Sequence, residues 1–444
     1  MAVPDVPAEI LEHIFTFLDG HSFCNVKFVC KNWYAVGKAM QTKNWLWKHF
    51  CCKEIPPILL EELISFKVVP LTESIIDWMA VYKKWWSGKM IKLPSKSPKS
   101  WQAFYYDPIT VIKSSGSYVL TGHNSGVMCV WNIHNGDLLH RVQYHLKRIT
   151  DMALVDLLNL GSYGLESLSW AHHHIITTSN DFLIQVRSLL EPLSCTSCTV
   201  LNYHSDIVTS IRVFGDKFAV CSRDNTITLY EMKVEKPFRL KVSLITAIIG
   251  PADILLTLGF WHDQVKCITH SGRLKTFSSS TEIWSEKKYL KTSFCENGSE
   301  NIVSVSMAFM FHNEIIMLLT ADGKLVISVD EHCKHYNLMR NLKTVLVTLL
   351  LQGTTLALGG ENGKLFLFHV PDYTSLKELD LSKPDAAIYL SEASIISIDI
   401  SYKLNSLLIT AATTESIYTI EWNRDSNFHK EVKMRSLSHF LKSS

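Results

Sequence analysis

Residues 218–231 read FAVCSRDNTITLYE: an apolar run, a polar turn around Arg223 and Asp224, and a second run of β-branched and aromatic residues. This pattern predicts two antiparallel strands joined by a tight turn. The unit recurs as YVLTGHNSGVMCVW (118–131), HIITTSNDFLIQVRS (174–188), QVKCITHSGRLKTF (264–277), IIMLLTADGKLVIS (315–328), TLALGGENGKLFLF (355–368) and LLITAATTESIYTIEW (407–422). The seven copies have turns near Asn124, Asn180, Asp224, Ser271, Asp322, Asn362 and Thr414, spaced by 40 to 56 residues. One four-stranded propeller blade takes about 40–45 residues, so each hairpin reads as the middle of a blade and the excess as loop. The longest gap holds Leu158 to Trp170, whose glycines and serines read as an excursion from a blade edge. Radial repetition buries both faces of each blade, which explains strands that are apolar almost throughout. The expected fold is an all-β propeller of seven blades. Its closing outer strand comes either from Phe428–Met434 or from the stretch before Asp107.

The N-terminal part is helical. Residues 6–50 read VPAEILEHIFTFLDGHSFCNVKFVCKNWYAVGKAMQTKNWLWKHF. Pro7 suits a first helical position, where its missing N–H costs nothing. Ile10, Ile14 and Leu18 recur along one helical face, with Leu11 and Phe15 beside them and Glu9, Glu12 and His13 opposite. Asp19-Gly20 ends that helix, and Ser22 is the expected cap of a second carrying Phe23, Val26, Val29, Cys30 and Trp33. A short third helix carries Trp45, Leu46, Trp47 and Phe50. Helices this few and short cannot bury all these side chains among themselves, so part of the apolar surface must meet a partner or another domain.

At these positions the segment resembles the F-box, the module that attaches substrate receptors to cullin–RING ubiquitin ligases. The matching residues are Val6-Pro7 (Val where Leu is usual), Glu9-Ile10-Leu11, Ile14-Phe15, Leu18, Val29-Cys30-Lys31, Trp33-Tyr34 and Leu46-Trp47. The resemblance implies binding to a Skp-type adaptor through Pro7, Ile10, Leu11, Ile14, Leu18, Val29, Cys30, Trp33, Leu46 and Trp47. Downstream, Leu59, Leu60, Leu63 and Ile64 mark a short helix. Another, expected after Thr72, has Ile75, Ile76, Trp78, Met79, Tyr82, Trp85 and Trp86 on a wide apolar face. This DWMAVYKKWW run resembles the linker of F-box/WD-repeat proteins. Lys92 to Ser100 is the loop-like boundary. The expected domains are an F-box at 1–52, a helical linker at 53–91 and a WD-repeat propeller at 92–444, with separate cores for F-box and propeller.

A formal net charge of +2 without blocks of like charge argues against nucleic acid and against a polybasic membrane anchor. The 11 cysteines form no framework and fit reduced thiols in the cytoplasm or nucleus. No signal peptide is expected, because the first residues lack a basic n-region and an apolar h-region. The oiliest stretches, 242–261 and 342–358, are broken by Pro251 with Asp253 and by Gln352-Gly353, and read as strand pairs.

The hairpins themselves resemble degenerate WD repeats. Trp131-Asn132 and Trp422-Asn423 stand where Trp-Asp is usual, and in the third copy His204, Ser222 and Asp224 match a buried hydrogen-bonding set with Tyr230 for its Trp. The other copies have lost most of that set. In such propellers the turns inside the hairpins and the loops leading to the innermost strands share one face, where a target docks. Candidate target-binding cations are Arg148, Arg223, Arg273, Lys324 and Lys364. Arg223 matches a position that in some receptors joins an arginine cluster for phosphorylated degrons. Thr209 stands where such receptors place another arginine, which weakens a phosphate reading.

Other chemistry is not expected. On a strand His172, His173 and His174 point alternately to opposite faces, Cys195 and Cys198 lack a second ligand pair, and no phosphate loop, nucleophile elbow or metalloprotease motif occurs. Neither metal, cofactor nor catalysis is therefore expected. The resemblance implies the substrate-recognition subunit of a Skp–cullin–F-box ubiquitin ligase, joined through the adaptor to the cullin–RING scaffold, presenting a protein substrate for ubiquitination and proteasomal degradation. The alternative is a non-catalytic WD-repeat scaffold acting outside ubiquitination.

Overall fold

The computed structural model describes residues 6–65, 76–92, 95–104, 106–115, 117–156, 173–189, 198–214, 216–236, 239–250, 255–261, 264–269, 274–278, 283–287, 302–310, 313–320, 323–329, 332–402 and 406–423. Seven four-stranded antiparallel sheets account for the second part of the chain. Blade one is Ile109–Ser115, Tyr118–His123, Val127–Asn132 and Leu138–Gln143; blade two is Ile149–Asp156, His173–Ser179, Ile184–Ser188 and Cys198–Leu201. Blade three is Val208–Phe214, Lys217–Ser222, Thr226–Lys236 and Arg239–Ile249; blade four is Leu255–Trp261, Gln264–Thr269, Leu274–Ser278 and Ile283–Lys287. Blade five is Ile302–Met310, Asn313–Thr320, Lys324–Val329 and His332–Asn337; blade six is Leu346–Gln352, Thr355–Gly360, Lys364–His369 and Ala386–Tyr389. Blade seven contains Ser397–Tyr402, Ser406–Ala412 and Ser416–Asn423. Each hairpin read from sequence forms the two middle strands of its blade.

The first strand of each blade packs against the first strand of the next, and blade seven against blade one, so the ring is closed. Closure takes its fourth strand from Lys99–Gln102, which pairs with Ser416–Asn423 from Lys99↔Thr419 to Gln102↔Ser416. The open question of the closing strand is thus answered by the segment before Asp107, and the expected loop at Lys92–Ser100 ends as strand. In blades one to six the first two strands share a register shift near their start, for example between Ile109 and Val111, Ile149 and Asp151, and Val208 and Ser210. The extra residue kinks the innermost strand. In blades one and two it is a threonine whose hydroxyl crosses to the next blade: Thr110 to the Ile149 carbonyl at 2.8 Å and Thr150 to the Val208 carbonyl at 2.6 Å.

The N-terminal helices are α1 (Ala8–Phe17), α2 (Gly20–Asn25), α3 (Lys31–Gln41), α4 (Asn44–Glu54), α5 (Pro57–Ser65) and α6 (Trp78–Gly88). Pro7 sits one place outside α1, as its cap. The cap of α2 is Asp19, which accepts from the Ser22 N–H at 2.7 Å, so Ser22 lies inside the helix. The expected second helix is broken at Val26–Phe28 by a tighter turn, and α3 restarts after Cys30, whose sulfur accepts from the Trp33 N–H. Asp77, not Thr72, caps α6; Thr72 and Ile75 lie outside the described residues.

Phe15, Phe23, Trp47 and Phe50 interlock at ring separations of 5.5 to 6.3 Å, and Tyr82 of α6 closes the cluster 5.5 Å from Trp47. The expectation of separate cores is not met. One apolar cluster runs from Leu11 and Trp47 through Trp78 and Trp85 to Leu325, Leu358 and Phe366 in blades five and six. Met90 and Ile91 join Ile400, Leu407 and Trp422 in a second cluster. Leu407 and Trp422 lie at the end of blade seven opposite its Thr413–Glu415 turn, so the helices dock on the end of the propeller away from the hairpin turns.

Candidate functional site

Two surfaces remain once this packing is accounted for. The first is on the N-terminal helices. Leu11 and Phe15 of α1 point into the module, and the 3.6-residue period places Ile10, Ile14 and Phe17 on the outer side. Phe17 is 69% exposed and Ile10 52%; Phe28, Val29, Tyr34 and Trp45 are exposed as well. Pro7 and Cys30 lie open beside them, while Leu18 and Trp33 are half-buried. Leu11, Leu46 and Trp47, assigned by resemblance to the adaptor contact, are sealed within the module's own core. They support the outer face without forming it. Phe17, Phe28, Tyr34 and Trp45 were missed as surface, although the period of α1 already separated Phe17 from Leu11 and Phe15.

The orientation of this face is fixed from behind. The Glu54 carboxylate accepts from the Gly20 N–H and from the Tyr82 hydroxyl, both at 2.7 Å, tying α2 and α4 to α6. Asn44 accepts from the Trp78 N–H at 3.1 Å and donates to the Ile76 carbonyl at 2.9 Å. His21 stacks on Trp86 with ring centroids 4.5 Å apart, and the Lys89 ammonium lies 3.9 Å from the Trp85 ring centre.

The second surface is the end of the propeller that carries the hairpin turns. In blades one, two, three and six the turn is pinned to the loop leading into the blade's first strand. Asn124, Arg223 and Glu361 donate backbone N–H groups to the carbonyls of Pro108, Ile207 and Val345 at 2.9 to 3.0 Å. Beneath the turn of blade three, His204 binds Asp224 at 3.1 Å and Thr228 at 2.9 Å, and the Ser222 hydroxyl donates to the Asp206 carbonyl. Blade two keeps the same set, contrary to expectation: His145 meets Asp181 at 3.1 Å and Thr177 at 2.9 Å, and Ser179 donates to the Lys147 carbonyl. The shared YHxxxxT of YHLKRIT and YHSDIVT was the available signal. Blade one runs a variant relay. Trp131 donates to Thr121, Thr121 meets His123, and the second ring nitrogen of His123 donates to the Asp107 carbonyl.

These sets fasten loops; they do not present a nucleophile. The hydroxyl opposite each His–Asp pair is fully buried at Thr177 or Thr228. Burial pushes the His204 and His123 imidazoles down, against the pull of Asp224 and of Asp107. Burial raises the Asp224 carboxyl, but bonds from Thr226 and Ser205 with His204 outweigh it and hold it low.

Of the predicted target-binding cations, Arg148 and Arg223 stand exposed on the loops of neighbouring blades two and three. Lys324 and Lys364 open the third strands of blades five and six. Arg273 lies outside the described residues. Thr209 is the extra residue at the kink of blade three, with its hydroxyl 3.3 Å from the Cys221 carbonyl. Toward the ring axis, innermost-strand cations are already engaged: Arg212 with Asp151 at 3.0 Å and Lys113 with Asp399 at 3.2 Å, each pair bridging two blades. Among the described residues, no group of three or more His, Cys, Asp or Glu side chains could hold a metal ion. The nine described cysteines are free thiols, and no described helix is long and apolar enough to cross a membrane. His173 and His174 open the second strand of blade two, whereas His172 and Cys195 lie outside the described residues.

Residues 3–53 match the family described as F-box-like. Over 159 residues the chain is 26% identical to "Transducin beta-like protein 3" of Mus musculus, a match covering 28% of this chain and 19% of that protein's length. The chain thus carries an F-box-like domain at its N-terminus, followed by a seven-bladed β-propeller with a distant WD-repeat relative.

Proposed function

We propose that this protein is the substrate-recognition subunit of a Skp–cullin–F-box ubiquitin ligase, acting in the cytoplasm or nucleus. The observation that carries the reading is the outer face of the F-box-like helices. Ile10, Ile14, Phe17 and Val29 stay in water although the module behind them has a complete core. Contiguous exposed apolar surface of this kind marks a protein contact, and in an F-box-like domain the contact is with the Skp-type adaptor, which brings the cullin–RING scaffold. Residues 1–52 then serve as the adaptor-binding module, 53–91 as the spacer and 92–444 as the receptor. Pro7, Ile10, Ile14, Leu18, Val29, Cys30 and Trp33 make the contact, with Leu11, Leu46 and Trp47 holding it in shape.

The chain does no bond chemistry in this reading. It raises the local concentration of a target lysine near the charged ubiquitin-conjugating enzyme, which requires a defined distance between adaptor and target. The α6 clasp and the shared apolar cluster supply that rigidity, and docking of the helices on the end away from the turns leaves the target face open. Co-purification tests the reading. The full chain should bring down adaptor and cullin in stoichiometric amounts, and Ile10→Asp with Ile14→Asp should abolish both while leaving the thermal melt unchanged. Adaptor capture without cullin, or neither, would instead favour a WD-repeat scaffold acting outside ubiquitination.

A further inference from the structure

On one arc of the turn-bearing face, three neighbouring loops share a pattern. In blades one, two and three the turn N–H groups of Asn124, Asn180 and Arg223 donate to the carbonyls of Pro108, Arg148 and Ile207. This common bond puts the three loops in register, so Tyr106 and Leu146 occupy equivalent places, each two residues before the accepting carbonyl. Tyr106 is 72% exposed and Leu146 85%. In the third loop Ser205 takes that place, and Tyr203, two residues earlier, is half exposed. Three successive loops thus each hold a large apolar side chain out in water, where burial against a partner is favourable.

The exposed charge of the same arc is positive. Lys147 and Arg148 follow Leu146, and Arg223 projects from the next blade's turn. Neither arginine has a carboxylate partner among the described residues. The arc's own carboxylates are spent inside the loops. Asp107 accepts from Ser125 N and Oγ at 3.0 and 2.6 Å, Asp181 holds His145 with the N–H groups of Leu146 and Leu183, and Asp224 holds His204, Ser205 and Thr226. Asp206 accepts from the N–H of Ile207. Blade six and its flanking loops mix exposed Glu361 and Glu392 with exposed Lys343 and Lys364.

Building on the receptor reading above, we infer that blades one to three are the recognition arc, and that it binds an extended segment of a target protein in which large apolar side chains are flanked by carboxylates. Arginines on separate loops suit separated carboxylates, whereas a single phosphate dianion calls for convergent donors. The turned-in hydroxyl of Thr209 supplies none. The apolar anchors give affinity and the cations give orientation and association rate.

The test pans the full-length chain against a displayed library of random short peptides, then measures the enriched sequence as a synthetic fluorescent peptide by anisotropy. Enriched peptides should combine Asp or Glu with Leu, Ile, Phe or Trp, and binding should weaken as salt rises. Arg148→Glu with Arg223→Glu should lower affinity by about tenfold or more, as expected when two charge contacts turn repulsive. Leu146→Ser should lower it roughly five- to tenfold, while Glu361→Gln in the turn of blade six, across the ring from blade two, leaves it unchanged. Replacing the peptide's acids with phosphoserine should not be required for binding. No enrichment, enrichment without acidic residues, binding only after phosphorylation, or indifference to the arc variants at wild-type melting temperature would each overturn the inference. Adaptor capture by the same preparations separates the two readings: its loss sinks the ligase assignment, and a negative peptide result with capture intact sinks only this one.

Discussion

Single groups that are buried or half-buried are expected to shape the acid response of this protein. His369 ends the third strand of blade six, where burial, with Lys92 nearby, pushes its imidazole down to about 4. It is neutral in the fold but takes up a proton in the unfolded chain below its ordinary value of about 6.5. The unfolded state therefore binds more protons between about pH 6.5 and 4, and stability falls through that window as pH falls. His123 and His204 act in the same direction, whereas the carboxyls of Asp181 and Asp224, held low by their bonds, withdraw stability only at more acidic pH. Thermal melts followed from pH 7 to pH 4.5 should show a falling midpoint, with a shallower fall in His369→Gln; equal slopes would remove His369 from the account. Gly20 is a second such point. A Cβ there would meet the Tyr82 ring at 2.6 Å, and the ring is held by Glu54. Gly20→Ala should cost about 1–3 kcal/mol through overpacking, read as a drop in the denaturation midpoint.

At the scale of the helix, α1 separates two roles on neighbouring residues. Leu11→Ala removes a fully buried side chain and should cost about 2–5 kcal/mol. Ile14→Asp changes an exposed one and should stay within about 0.5 kcal/mol of the parent. Chemical denaturation followed by tryptophan fluorescence distinguishes them, because Trp33 and Trp47 report on the module's core. The period of α1 was readable in the sequence, and so was the hairpin in every blade, since both depend on local spacing of apolar residues. The restart at Cys30 was not. It follows from packing of α3 against α1 and the preceding tight turn, where Gly37 lets the chain approach Val26. Burial of Leu46 and Trp47 was likewise hidden, because α4 has apolar residues on several sides and its packing against α2, α3 and α6 decides which are covered.

At the scale of the whole molecule, closure of the ring by Lys99–Gln102 makes the propeller depend on the segment that leaves the helices. A chain beginning after Gln102 would expose the edge of Ser416–Asn423 and uncover Met90's and Ile91's partners on blade seven. It should melt several degrees lower and aggregate on heating, as measured by calorimetry and light scattering; a full-length melting temperature would show that closure contributes little. The continuous cluster from Leu11 to Phe366 predicts one cooperative transition for helices and blades five and six, not two. The sequence alone determined seven hairpins, an amphipathic helical module and the cation candidates, because periods of 2, 3.6 and one blade are written in neighbouring residues. Only the tertiary structure decided which strand seals the ring, which end of the propeller the helices cover, and which apolar side chains stay in water. Those outcomes depend on contacts between residues hundreds of positions apart, and no local spacing encodes them.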